Sequence, residues 1–216
     1  MRTWTNATLA VASLVLLAAP ALAAGNSHYG IRAGVNAARF AGEFGKVFGP
    51  DNLVAPNVGL VYEYDFAPSV AFHGELAYAG KGASTEVEGT DEFGNPLGEF
   101  KAPWKFQYLE IPLFMHARLP ALGKATPFLE AGPAFGITLA GKLTAAPPFP
   151  SDVDLKGAMR PIDVGVAVGG GFAFAAGPGR LGIDLRWTRG LDNPFKAASP
   201  FDVFNETWTV ALSYMR

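Results

Sequence analysis

His73 and Glu75 stand two residues apart, and on an extended chain that spacing turns both side chains to the same side. The same parity joins His116 to Glu110 and Asp184 to Arg186. An imidazole beside a carboxylate can move a proton, ligate a metal or hold a charge pair. General acid–base catalysis also needs a nucleophile or a water site, and no serine stands beside His73 or His116. Catalytic residues are therefore not expected. A metal site from His73, His116 and carboxylates is compatible in kind, but no spacing requires one, so neither metal nor cofactor is expected. The chain has no cysteine. That excludes thiolate metal sites, a cysteine nucleophile, disulfides and a lipid-anchored leader cysteine.

The elements that must carry these groups are strands with two unlike faces. From Ile162 to Phe174, Ile162, Val164, Val166, Val168, Phe172 and Phe174 alternate with Asp163, Gly165, Ala167, Gly169, Gly171 and Ala173. After a turn at Gly177–Gly179, Leu181, Ile183, Leu185 and Trp187 alternate with Arg180, Gly182, Asp184, Arg186 and Thr188. The second face is small or charged, which makes a poor solvent surface but fits a narrow interior. Arms of this length, apolar on one side and small or polar on the other, match the roughly 9–11 residues of a transmembrane barrel strand.

The same alternation recurs at Tyr29–Ala37, Asn57–Asp65, Val70–Tyr78, Trp104–Arg118, Pro127–Ala140 and Thr207–Met215. That makes an all-β chain, an eight-stranded antiparallel up-and-down transmembrane β-barrel. Its connections alternate long and short, as extracellular loops and periplasmic turns do. Lys81–Pro103, rich in Glu and Asp, reads as an exposed loop with a small hairpin at Glu92–Asn95. Tyr62, Tyr64, Tyr78, Trp104, Trp187, Trp208 and Tyr214 fall near strand ends, where aromatic girdles sit. The inward faces collect Arg32, Glu63, His73, Glu75, Glu110, His116, Glu130, Asp163, Asp184 and Arg186, with Asp65 beside them. Acids outnumber bases in this set, so some carboxyls must be hydrogen-bonded, protonated or hydrated.

Residues 1–23 read as a cleaved signal peptide: Arg2 supplies positive charge, Leu9–Leu17 the apolar stretch, and Ala21-Leu22-Ala23 the cleavage site. The barrel domain then spans 24–216. No later segment has the ~18 consecutive apolar residues of a membrane helix. With a net charge of −2 and no basic patch, nucleic acid is not an expected partner.

Several pieces carry a family resemblance: Gly30-Ile31-Arg32-Ala33-Gly34-Val35-Asn36, Gly80-Lys81-Gly82, Tyr108-Leu109-Glu110-Ile111-Pro112-Leu113, Pro127-Phe128-Leu129-Glu130-Ala131-Gly132-Pro133, Asp163-Val164-Gly165, Gly169-Gly170-Gly171 and Leu185-Arg186-Trp187-Thr188-Arg189-Gly190-Leu191. With these the chain resembles the porin-like outer-membrane β-barrel family (the PorT-like group). The Tyr-Leu-Glu-Ile-Pro piece is the most specific. The resemblance implies an outer-membrane barrel of a Gram-negative-type envelope, in contact with lipid and delivered by the barrel assembly machinery, but no defined activity. Outer-membrane barrels commonly end in an aromatic residue. This chain ends Tyr214-Met215-Arg216, a departure: either Tyr214 takes that role or insertion is less typical.

Three functions fit. The first is a barrel with a plugged polar lumen and a structural or interaction role, through extracellular loops that meet a partner. The second is a narrow porin passing ions or small solutes. The third is a soluble periplasmic ligand-binding β-barrel with its apolar face inward. An eight-stranded bore is just wide enough for side chains to fill, which favours the first. Loop phenylalanines, Phe40, Phe44 and Phe48 early and Phe195, Phe201 and Phe204 late, are open to lipid headgroups, a partner or one another.

Overall fold

A computed structural model describes residues 27–90, 95–144, 152–196 and 202–216. The expected signal peptide, Glu92–Gly94 of the expected small hairpin, and Phe201 lie outside the described residues. Eight long strands make up the molecule: β1 Ser27–Ala41, β2 Leu53–Ala67, β3 Val70–Thr90, β4 Pro96–Arg118, β5 Ala125–Leu143, β6 Ile162–Ala176, β7 Gly179–Gly190 and β8 Phe204–Met215. Each pairs antiparallel with its chain neighbour, and β1 pairs with β8, so the sheet closes and no barrel edge is left open. A two-residue strand, Val153–Asp154, adds to the end of β5.

The faces are sorted as a bilayer requires. Ile31, Leu60, Leu129, Val168, Leu185 and Leu212 stand exposed on the outside. Arg32, Glu63, Glu75, Glu130 and Arg186 are buried inside. This sorting removes the soluble-barrel alternative, which needs the apolar face inward.

Small residues set how closely the interior can fill. Gly169 of β6 lies in register between Glu130 of β5 and Arg186 of β7. A Cβ there would come within 2.8 Å of the Leu185 carbonyl oxygen and 3.1 Å of the Arg186 Cα. With hydrogen at that point, Arg186 reaches across β6 and its Nε donates to Glu130 Oε1 at 2.9 Å. Gly169→Val is expected to destabilise the barrel by about 1–3 kcal/mol through overpacking, read as a lower denaturant midpoint; an unchanged midpoint would contradict the close approach.

The described residues of Lys81–Pro103 are strand rather than loop. β3 and β4 run on through it, with Glu86 opposite Lys101 and Thr85 opposite Ala102. β4 leaves β5 at Trp104, so the two strands beyond pair chiefly with one another and stand above the barrel rim. No lipid flanks such a hairpin, so nothing imposes an apolar–polar alternation on it. Between β1 and β2 lies the short helix α1, Glu43–Phe48, instead of irregular loop.

Candidate functional site

The interior is built in tiers. At the end carrying the short turns, Glu63 Oε1 accepts from both Arg118 Nη2 and Arg180 Nη2, the latter at 2.7 Å. His28 Nε2 lies 3.2 Å from Asp65 Oδ2. One tier up, Arg186 grips Glu75 with two bonds of 2.7 and 3.0 Å, and its guanidinium sits 4.3 Å from the Phe114 ring centroid. Arg32 reaches past β8 to Asp184 at 2.6 Å and also donates to Asn57 Oδ1 at 2.8 Å. The residues facing that reach are Ala211 and Ser213, short enough to let it pass. Higher again, Lys81 pairs with Glu110 and lies 3.7 Å from Asp163, whose carboxylate also accepts from Asn205. Buried charges this close to their partners satisfy one another, and removing either leaves the other stranded.

His73 and His116 occupy the lowest two tiers. Their rings stack at 5.7 Å between centroids, and His116 stacks on Phe128 at 4.4 Å. His73 Nε2 meets Glu75 Oε1 at 3.1 Å, and its Nδ1 lies 3.4 Å from Glu63 Oε2.

Above the polar tiers an apolar cluster closes the opposite end. Phe40, Phe106, Tyr108, Met159 and Val203 are buried there, with Phe44, Trp104 and Phe195 packed against them. Of the expected loop aromatics, Phe40 ends β1 and is buried in this cluster, Phe44 and Phe195 lie half-buried against it, and Phe204 on β8 packs under Arg189 instead. Trp104 corrects the expected girdle. It lies on the inward parity of β4 with Phe106 and Tyr108, its ring edge-on to Phe40 and Phe195 at 6.1 Å from each. Its indole N–H donates to Thr85. Tyr64, Trp208 and Tyr214 are outward and exposed; Tyr62 and Tyr78 are half-buried. Trp187 is also half-buried and donates to Glu206, which Arg39 and Arg189 flank on the outer face of the rim at 3.0 Å each.

The shortage of interior bases disappears once Lys81, Arg118 and Arg180 are included. Sequence reasoning missed Lys81 and Arg118; it set Arg180 on the inward face of its strand but left it out of the polar network. Lys81 sat at the start of the supposed loop, and the two arginines sit at strand ends beside turns. The parity of each relative to its own strand was the available signal.

These charges fill the bore. The cavity left among Arg32, Glu63, His73, His116, Glu130 and Arg186 has a volume of about 20 Å³, room for about one water molecule.

With fold and interior in view, the sequence comparison decides the family: residues 18–196 match the model of the outer membrane protein beta-barrel domain. The chain belongs to that family. Membership places it in the outer membrane, with its apolar band against lipid. No curated protein matches the sequence. Among solved structures it is similar to Neisserial surface protein A, at 11% identity and TM-score 0.47, over 86% of this chain and 95% of that one. It is also similar to Ail, the attachment invasion locus protein of Yersinia pestis, at 16% identity and TM-score 0.44, over 88% and 99%. The outer membrane protein OprG from Pseudomonas aeruginosa is similar at 15% identity and TM-score 0.45, over 88% and 96%.

Proposed function

We propose that this family member, of the PorT-like group, is a non-enzymatic barrel with a closed lumen that acts through its extracellular side as a structural or adhesive element. The observation that carries the proposal is the ≈ 20 Å³ cavity among interlocked ion pairs. A porin needs a continuous wet path lined by charges that an ion can approach and leave. Here the charges bind each other, and the aromatic cluster lies across the far end.

Function then falls to the parts outside the bilayer. Binding residues concentrate on segments held by a rigid scaffold. The tall β3–β4 hairpin is the largest such segment, with Lys101 close to both Glu86 and Asp51 at 3.9 and 3.7 Å. The extracellular partner is met there and at the flanking loops. Biogenesis runs through the export leader, cleaved near Ala24, and the barrel assembly machinery.

Liposome swelling tests the closed lumen for solutes. Vesicles carrying the inserted protein are expected to swell in small sugars and amino acids no faster than protein-free vesicles. Swelling that slows with increasing solute size would replace this reading with the narrow porin.

A further inference from the structure

We propose that Glu63, His73 and His116 form a transition-metal site of the zinc class at the short-turn end of the lumen. It is independent of whether the lumen conducts. The three residues come from adjacent strands β2, β3 and β4. Glu63 is in direct register with His73, and His116 lies opposite Ala71, two residues earlier on β3. One ligand atom from each lies within 4.8 Å of the others, and all three residues are buried. Glu63 Oε2 is 3.4 Å from His73 Nδ1 and 3.6 Å from His116 Nδ1. A tetrahedral ion with bonds of about 2.0–2.1 Å spaces its ligand atoms about 3.4 Å apart.

Glu63 Oε2 and His73 Nδ1 meet each other, and the other polar atoms of the pair are held elsewhere. His116 Nδ1 is buried without a hydrogen-bond partner, a state that buried polar atoms rarely hold. His73 donates its other ring nitrogen to Glu75, which Arg186 holds in turn. A ligating histidine fixed through its second nitrogen by a carboxylate is the usual support of a metal site. Glu63 gives Oε1 to Arg118 and Arg180, leaving Oε2 directed at the two imidazoles. The nearby guanidiniums are engaged with other oxygens: Arg186 with Glu75 and Glu130 Oε1, Arg32 with Asp184. Glu130 Oε2 stands 4.0 Å from His116 Nδ1. The ≈ 20 Å³ cavity beside these groups admits a water as fourth ligand. Two imidazoles and one carboxylate suit zinc, copper, iron or nickel, and not magnesium or calcium. Bound there, the ion ties three neighbouring strands together at the inner end of the barrel.

The competing occupant is a proton: a charged His73 bridging Glu63 and Glu75. The barrel, purified folded in detergent and stripped with chelator, separates the two. Titration with Co²⁺ is expected to give one saturable equivalent with visible ligand-field bands, displaced by Zn²⁺. His116→Gln is expected to lose that equivalent, Glu75→Gln to weaken it about 10–100-fold, and His28→Gln to leave it unchanged. Heat-modifiable migration on gels confirms that each variant is folded. Should His116→Gln fail to fold, nitrogen NMR of the wild-type imidazoles takes its place, with Zn²⁺ expected to move the Nδ1 resonances of two histidines. Absence of saturable binding by the wild type, binding that persists in folded His116→Gln, or imidazole resonances unmoved by Zn²⁺ would each overturn the site in favour of the proton.

Discussion

Arg186→Ala is expected to destabilise the folded barrel by about 3–5 kcal/mol. Arg186 is buried to 4% exposure and is shared between Glu75 and Glu130, two carboxylates buried to a similar depth. Removing it leaves both without their main cation in a space closed to bulk water. The cost is therefore the stranding of two charges, not the loss of one contact. That distinction has a measurable consequence. Arg186→Met combined with Glu75→Gln should lose much less than the sum of the two single changes, because the second removes a charge that the first stranded. Denaturant unfolding in detergent or vesicles reads all three proteins. Additive losses would mean that the residues stabilise the barrel separately and that the interior is not one network.

Leu185→Arg is expected to cost about 2–4 kcal/mol and to impair insertion. Leu185 lies in the middle of β7, half exposed on the outer face and in register with Gly170 and Val210. There a guanidinium cannot reach either interface without distorting the sheet. The cost depends on depth. Val166→Arg, further toward the rim, should lose less, and Leu191→Arg, just past the end of β7, about 0–1 kcal/mol. Folded yield into vesicles and the unfolding midpoint report the series. Equal effects at the three positions would contradict the assigned bilayer band.

The contrast between these two sites explains how much could be read from residues alone. Lipid on one side and a crowded bore on the other force an alternation with a period of two. The eight strands and the closed antiparallel fold were legible for that reason, from Ile31 against Arg32 to Leu185 against Arg186. The alternation lapses where the lipid ends. Lys81–Pro103 carries Glu86, Glu88, Glu99 and Lys101 with no apolar face, so its two paired strands looked like a loop. Trp104 is an aromatic at the bilayer's edge, a position equally suited to a girdle and to a cap; it shares the inward parity of Tyr108, and its ring contacts with Phe40 and Phe195 show that it is a cap. Partners were harder still. Parity says that His73 and Glu75 share a face, but it says nothing of Glu63 on β2 or Arg186 on β7. Those contacts depend on strand register and on glycines such as Gly169, which let a long side chain cross a neighbouring strand. Phe195 has no periodicity to read at all; its place against Trp104 and Phe106 is set by how its connection folds back over the rim.

The closed lumen is the central claim, and single-channel recording in a planar bilayer tests it most directly. Protein whose insertion is verified independently is expected to be silent, and Glu110→Gln with Glu130→Gln is not expected to create a selective pore. Stable, discrete current steps from the wild type, with a cation preference that falls when those two carboxylates are neutralised, would contradict the closed lumen and make the interior a conduit.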